Sequence, residues 1–349
     1  MTPAVNPPMT NVVAHAPGRV NLIGDHTDYA GGLALPMAID LGTTIIGHRG
    51  GDQLRLNSEQ FRTTMIEALP IMDTQIEPIW ARYVAAVATE MRMSIGFDGT
   101  ITSTLPLGAG LSSSASLEIA VALALGFDGT PMELALLAQR SEFAAVGVPC
   151  GLLDQFSCVF GRDGHALLID FNAASIEPVP IPEDLEIIVV HSGVERTLAG
   201  SAYSERRAAC ETAASIIGEL PTRAIGDVDA ISDPVVRRRA RHVITECERV
   251  REGAHALRSD DGAGFGSLMI ESHASLRNDF EVSTPEVDDL VARLISIPGV
   301  HGARMTGAGF GGCVVAVCNP GAIPEPASFT GRGWKVRASG PARVEVVDS

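Results

Sequence analysis

The chain has 349 residues, 46% of them hydrophobic and 19% charged. This supports two domains of roughly 150–200 residues and argues against global disorder. A net charge of −16 excludes a large basic face for gripping nucleic acid, and the single lysine, Lys335 between Trp334 and Val336, excludes both the G-x-x-x-x-G-K-[ST] phosphate loop and the lysine-bearing strand of protein kinases.

Residues 1–10 read as a loose, proline-rich arm without the basic and apolar blocks of a leader. No run of about 18 apolar residues follows, so no membrane span is expected. The first polar string is Pro17-Gly-Arg19-Val-Asn21-Leu-Ile-Gly24-Asp25-His26-Thr27-Asp28-Tyr29, closed by Gly31-Gly32. Val20 to Ile23 read as a short strand leading into a turn of hydrogen-bonding side chains. Such a cluster suits a ring of hydroxyls, that is, a sugar. It also reads as an ordinary polar turn, and less well as a metal loop, because D-x-D-x-D-G spacing is absent.

Apolar, β-branched runs predict strands at 42–48 and 98–104, with a helix over 79–92 between them. The turn Pro106-Leu-Gly108-Ala-Gly110-Leu-Ser112-Ser113-Ser114-Ala-Ser116 leads into a helix over 113–125. Glycines admit a ligand close to the backbone, and a helix start offers unpaired N–H groups and partial positive charge. This is a phosphate cradle that needs no lysine; the plainer alternative is a serine-capped helix after a glycine turn.

A helix over 131–145 precedes Cys150-Gly151-Leu-Leu-Asp154-Gln155-Phe156, which sets an acid in an apolar stretch. Such an acid needs a partner or a function. Arg19, if close, gives it a charge partner, and Asp154 then serves an attacking hydroxyl. The alternative is a structural Asp capping a turn.

Strands are predicted at 165–170, 185–191 and 312–318, and helices at 201–218, 235–257 and 285–297. The last of these starts on Thr284 as N-cap with Pro285 after it. Residues 172–184 carry three prolines and read as a linker, which divides the chain into domains 1–178 and 179–349. Arg237-Arg238-Arg239-Ala-Arg241 lies in a helical pattern as a solvated face. The glycines of Thr306-Gly307-Ala-Gly309-Phe310-Gly311-Gly312-Cys313 imply backbone lying tightly against something. The six cysteines form no C-x-x-C pair and fit reduced core thiols in a cytoplasmic protein.

Together and in this order, the segments at 18–29, 106–116 and 306–313 resemble the three motifs of the GHMP kinases. Gly18 to Tyr29 is similar to the signature of the galactokinase subfamily, as are the stretches 78–83, 201–207, 239–243 and 272–277. The resemblance implies an α+β (mixed α/β) fold of two domains, ribosomal-S5-domain-2-like and then ferredoxin-like, with the active site between them. It implies ATP and Mg2+ and transfer of the γ-phosphate to a sugar, most simply galactose at its C1 hydroxyl. No nucleic-acid or membrane partner is expected of a monomer or small homo-oligomer.

By position, Asp154 and Arg19 match the catalytic pair. Asp25, His26, Asp28, Gly151 and Tyr203 match sugar contacts. Trp80, Gly108, Gly110, Ser112, Ser113, Ser114 and Gly309 match nucleotide contacts, and Ser113 with Glu142 match the magnesium ligands. The subfamily has Glu where this chain has Asp25, one methylene shorter. That leaves a uronic acid, a pentose, an N-acetylhexosamine or a polyol as the alternative acceptor. A non-catalytic sugar sensor is the further alternative.

Overall fold

The structure is a computed structural model that describes residues 10–148, 150–195 and 199–347. All but the last residue of the expected proline-rich arm lies outside them.

The first half runs β1 (Thr10–Asn21), β2 (Leu33–Ala34), β3 (Pro36–Arg49), β4 (Gln53–Ser58), β5 (Thr63–Ala68), α1 (Ile79–Glu90), β6 (Phe97–Ser103), α2 (Ser113–Leu125), α3 (Pro131–Val146), α4 (Leu153–Phe160), β7 (His165–Asp170) and β8 (Ser175–Pro180). The second half runs β9 (Glu186–His191), α5 (Ala199–Ile217), α6 (Pro234–Arg258), α7 (Gly262–Ser275), α8 (Pro285–Ile295), β10 (Val300–Thr306), β11 (Cys313–Cys318), β12 (Gly333–Val336) and β13 (Arg343–Val347).

One sheet has the order β13-β1-β3-β6-β4-β5, a second β10-β11-β9-β12, and a small third β2-β7-β8. Every strand pair is antiparallel except β4 with β6. Helix α2 is apolar on all sides and buried from Ala115 to Leu125, as a helix sandwiched in a core must be. The start signal of α8 acts as expected, and α3 has one of its own. Thr130 and Glu133 close a capping box on α3, and Thr284 accepts from Val287 N to start α8 behind Pro285.

Two expectations are corrected. Residues 172–184 are not a linker: Ser175–Pro180 form β8 on an edge of the third sheet, where Pro178 and Pro180 are tolerated. A single cut at 178 also fails to separate the two cores. The chain end returns as β13 beside β1, and the apolar residues from Val20 to Ile39 pack into the core of the second half. The physical reason is the length of β1, whose first part faces one core and whose last part faces the other.

Candidate active site

A cleft of about 710 Å3 lies between the halves. One wall comes from the end of β1, the start of α2, and α3 and α4. The other includes Tyr203 of α5 and the turn Gly307-Ala308 after β10.

Arg19 owes its position to Gly18. A Cβ at 18 would fall 2.5 Å from a Leu105 methyl and 2.6 Å from the Leu111 carbonyl, so glycine lets β1 lie directly on the 105–112 turn. Arg19 N then donates to Leu111 O at 3.2 Å. The buried guanidinium divides its donors: Nη1 reaches Gly110 O at 2.7 Å and Nη2 meets Asp154 Oδ1 at 2.6 Å. Asp154 stands in the first turn of α4 and is partly open to the cleft. The acid and the arginine, 135 residues apart in sequence, are therefore paired, and the pair is tied to the glycine turn.

That turn is shaped for close approach. Gly108 and Gly110 have φ of 67° and 73°, and Ser112 at the N-cap is also left-handed at 59°. No side chain caps α2. Ser112 Oγ is buried without a partner, so the serine-capped alternative fails and the first N–H groups of α2 face the cleft. Ser113 is exposed at the first helical position. It is Ser114, one residue further on, that donates to Glu142 Oε1 at 2.9 Å. Gln155 Nε2 and the Cys150 thiol donate to the other oxygen of Glu142. Burial and then the Asp154 charge push the Glu142 carboxyl above its usual range.

Beyond the turn a smaller cavity of about 230 Å3 opens beside Trp80. Trp80 is buried, donates from Nε1 to Thr63 Oγ1 at 3.0 Å and stacks on Phe61 at 6.5 Å between centroids. Tyr83, Leu107, Ser113 and Ser114 line both spaces, so the two adjoin.

The 25–28 turn forms the opposite end of the cleft. Asp25 Oδ1 accepts from Gly307 N at 3.0 Å, and Oδ2 meets Arg304 Nη2 at 2.6 Å as an ion pair off the line of a straight hydrogen bond. His26 lies between Tyr29 Oη at 3.0 Å and Ala308 O at 3.2 Å, with its ring against Tyr203 and Phe280. Burial raises the Asp28 carboxyl to about 6, against the pull of the Tyr29 N–H and with help from the charges of Asp154 and Asp25. A Cβ on Gly151 would come 1.7 Å from Asp28 Oδ2, which only glycine avoids. Asp25, His26, Asp28, Gly151 and Tyr203 thus share one end of the cleft.

Gly309 is the exception among the expected site residues. It is buried at φ 82°, where a Cβ would strike Val282 O at 2.5 Å, so its glycine serves packing within the chain. Gly307 and Ala308 face the cleft instead. Sequence reading missed Phe61, Glu118 and Arg304. Glu118 lies one helical turn beyond Ser114, fully buried, with neither carboxylate oxygen hydrogen-bonded. Burial, then Glu142 and Asp154, push it well above the usual carboxylate range.

Residues 5–49 match the galactokinase galactose-binding signature, 81–162 the GHMP kinase N-terminal domain and 254–327 the GHMP kinase C-terminal domain. The human galactokinase is 42% identical over 330 residues, which is 89% of this chain and 84% of that protein. The chain belongs to the galactokinase family. A galactokinase of Roseiflexus is likewise 42% identical, over 88% of this chain and 83% of that one. The solved galactokinase of Lactococcus lactis, complexed with galactose, superposes with a TM-score of 0.88 at 30% identity, covering 95% of each chain. The mevalonate kinase of Methanococcus jannaschii, at 22% identity and a TM-score of 0.68, shares the fold. As a galactokinase-family member the chain is an ATP-dependent phosphotransferase acting on an alcohol group.

Gly151→Ala follows from this geometry. The new methyl displaces the Asp28 carboxylate, and KM for the sugar should rise about tenfold or more, the kinetic equivalent of the 1–3 kcal/mol of an overpacked site. KM for ATP should stay within about twofold. Steady-state kinetics with each substrate varied in turn checks this, and equal rises in both constants would show the glycine to be structural only.

Proposed function

We propose that this chain transfers the terminal phosphoryl group of ATP to the anomeric hydroxyl of galactose. The observation that carries the reading is the Arg19 guanidinium, which joins the Asp154 carboxylate and the Gly110 carbonyl at 2.6 and 2.7 Å. One rigid planar group thereby sets the acceptor's carboxylate against the phosphate turn.

In this reading the triphosphate lies on the N–H groups at the start of α2 and along the Gly108–Ser114 turn, and the base enters the Trp80 cavity. The sugar sits among Asp25, His26, Asp28, Gly151 and Tyr203. The bond from the sugar oxygen to the γ-phosphorus forms, the bond from that phosphorus to the bridging oxygen breaks, and ADP leaves with the electron pair. The hydroxyl proton passes toward Asp154. Alignment and charge neutralisation supply most of the rate. Ser114 Oγ and Glu142 Oε1, 2.9 Å apart beside the turn, offer the hydroxyl and carboxylate oxygens that suit Mg2+, which when bound neutralises phosphate charge. Ser113, the expected ligand, adjoins them.

Among the described residues no helix is long and apolar enough to cross a membrane. None of the six cysteines is in a disulfide, which supports a cytoplasmic setting. A monomer or small homo-oligomer without nucleic-acid or membrane partners fits the acidic surface.

An ADP-release assay across sugars tests the substrate. Galactose should be the preferred acceptor, and Asp25→Glu should change the ranking only at this end of the cleft. Turnover of a uronic acid, pentose, N-acetylhexosamine or polyol with none of galactose would refute the sugar and leave the transfer chemistry standing.

Acid should act through Asp28. Its pKa is raised to about 6, so the carboxylate is present above that pH and becomes the neutral acid as pH falls through it. As an acceptor for a sugar hydroxyl it is weakened in that direction. KM for galactose should therefore climb below about pH 6 while KM for ATP does not, and Asp28→Asn should abolish this slope. A flat galactose KM between pH 5 and 8 in the parent would contradict it.

A further inference from the structure

We propose that Arg332, in the second half, is a nucleotide-positioning residue that acts through the peptide of Leu107. The proposal rests on the reading that the Gly108–Ser114 turn holds the triphosphate.

Arg332 sits in the turn before β12. Its carbonyl accepts from His191 N at 2.9 Å, at the end of β9, so its backbone is held by the second sheet. Its side chain crosses to the other half of the molecule, where Nη2 donates to Leu107 O at 2.6 Å. Leu107 lines both the large cleft and the Trp80 cavity, so its peptide is the joint between the phosphate turn and the base. The residue after it, Gly108, has φ of 67° and meets nothing within 4 Å on the side where a Cβ would stand. Within the turn the joint is spanned only by a long backbone bond, Ala109 N to Pro106 O at 3.4 Å, and Arg332 adds a shorter one from the other half.

The charge matters as well as the brace. Among the described residues that line the cleft are five carboxylates (Asp25, Asp28, Glu142, Asp154 and Glu195) and one guanidinium, Arg19, already paired with Asp154. A polyphosphate entering such a cleft needs positive charge at its rim. Arg332 has no carboxylate in ion-pair range among the described residues, and its bond to a carbonyl leaves the full charge beside the turn. Being partly exposed, it is screened by salt, which makes its contribution readable.

The test uses the full chain with Arg332→Met, which keeps length but loses charge and donor, and Arg332→Lys, which keeps both in part. For the Met variant, KM for ATP and Kd for ADP should rise about tenfold at low salt, the scale of one lost charge-assisted bond. KM for galactose should stay within about twofold. The Lys variant should recover most of the loss, and the gap between parent and Met variant should narrow at high salt. Parent-like ADP affinity in the Met variant would overturn the proposal. So would equal rises in both KM values without rescue by lysine, which is the signature of a merely structural contact. Failure of the parent chain itself to bind ADP would overturn both this proposal and the reading beneath it, whereas parent binding with an unaffected variant removes Arg332 alone.

Discussion

Asp154→Asn should lower kcat for sugar phosphorylation by about 10³-fold, the scale of a positioned acid–base group, while Kd for ADP stays within about twofold. Asn keeps the volume of Asp and loses only the charge and the second acceptor. Three consequences follow at once. The attacking hydroxyl loses the acceptor for its proton. Arg19 loses its counter-ion at 2.6 Å and has a neutral amide oxygen in its place beside the Gly110 carbonyl. The acceptor end of the cleft is then held to the phosphate turn by a neutral hydrogen bond instead of an ion pair. The nucleotide end is untouched, because α2 and the Gly108–Ser114 turn are held by β1 and α3 independently of that carboxylate. Coupled ADP release gives kcat, and calorimetry gives the nucleotide affinity. A variant within tenfold of the parent in kcat would show that Asp154 serves structure rather than chemistry.

The largest stability effect is expected at Arg304. Arg304→Met should destabilise the fold by about 3–5 kcal/mol, the usual cost of removing one partner of a buried ion pair. The melting temperature should fall on the order of 5–10 °C. The arginine lies in β10 with no exposure. It holds Asp25 at 2.6 Å and donates to Leu22 O at 3.2 Å and, more weakly, to Asn21 O at 3.4 Å. Its second carboxylate is Glu246, at 3.9 Å. Glu246 accepts from Gly24 N at 3.0 Å and Ser272 Oγ at 2.5 Å. Burial pushes Glu246 up, yet Arg249, His242 and Arg304 more than offset it and hold it at about 2.

One side chain thus binds the 21–25 segment of the first half to the sheet of the second. Removing it leaves Asp25 buried without its cation, so Asp25→Asn in the same chain should recover part of the loss. Because Asp25 lines the sugar end of the cleft, KM for galactose should rise with Arg304→Met while KM for ATP changes less. Thermal melting of the single and double variants checks the argument. A single variant melting within about 2 °C of the parent would mean that the contact adds nothing net.

Local signals in the sequence carried most of the elements and most of the site. Helices α3, α6 and α8 announce themselves by their apolar pattern and α2 by an unbroken apolar run, and Thr284-Pro285 begins α8 where that grammar says it should. The end of β1 and the 25–28 turn were legible because Gly18, Gly24 and the polar run have no ordinary use in a core. Residues 172–184 misled because prolines speak equally for a linker and for an edge strand, and only pairing with β7 decides between them. The β4–β5 hairpin escaped notice because its alternation is spread over short, mixed strands whose buried apolar members are Leu54, Leu56 and Met65 alone.

What no local pattern carries is contact between distant residues. Asp25 with Arg304, Arg332 with Leu107, and Phe61 on Trp80 exist only once the sheets are assembled. Gly309 shows the opposite error. Its motif invites a ligand, and the backbone around it is shaped by Val282 instead.

The most direct measurement is a structure of this chain with galactose and a non-hydrolysable ATP analogue bound together. The anomeric hydroxyl should lie within hydrogen-bond reach of the Asp154 carboxylate, about 3 Å, with the terminal phosphate over the first N–H groups of α2 and in line with that hydroxyl. A sugar presenting another hydroxyl to Asp154, or a triphosphate lying away from the Gly108–Ser114 turn, would contradict the mechanism.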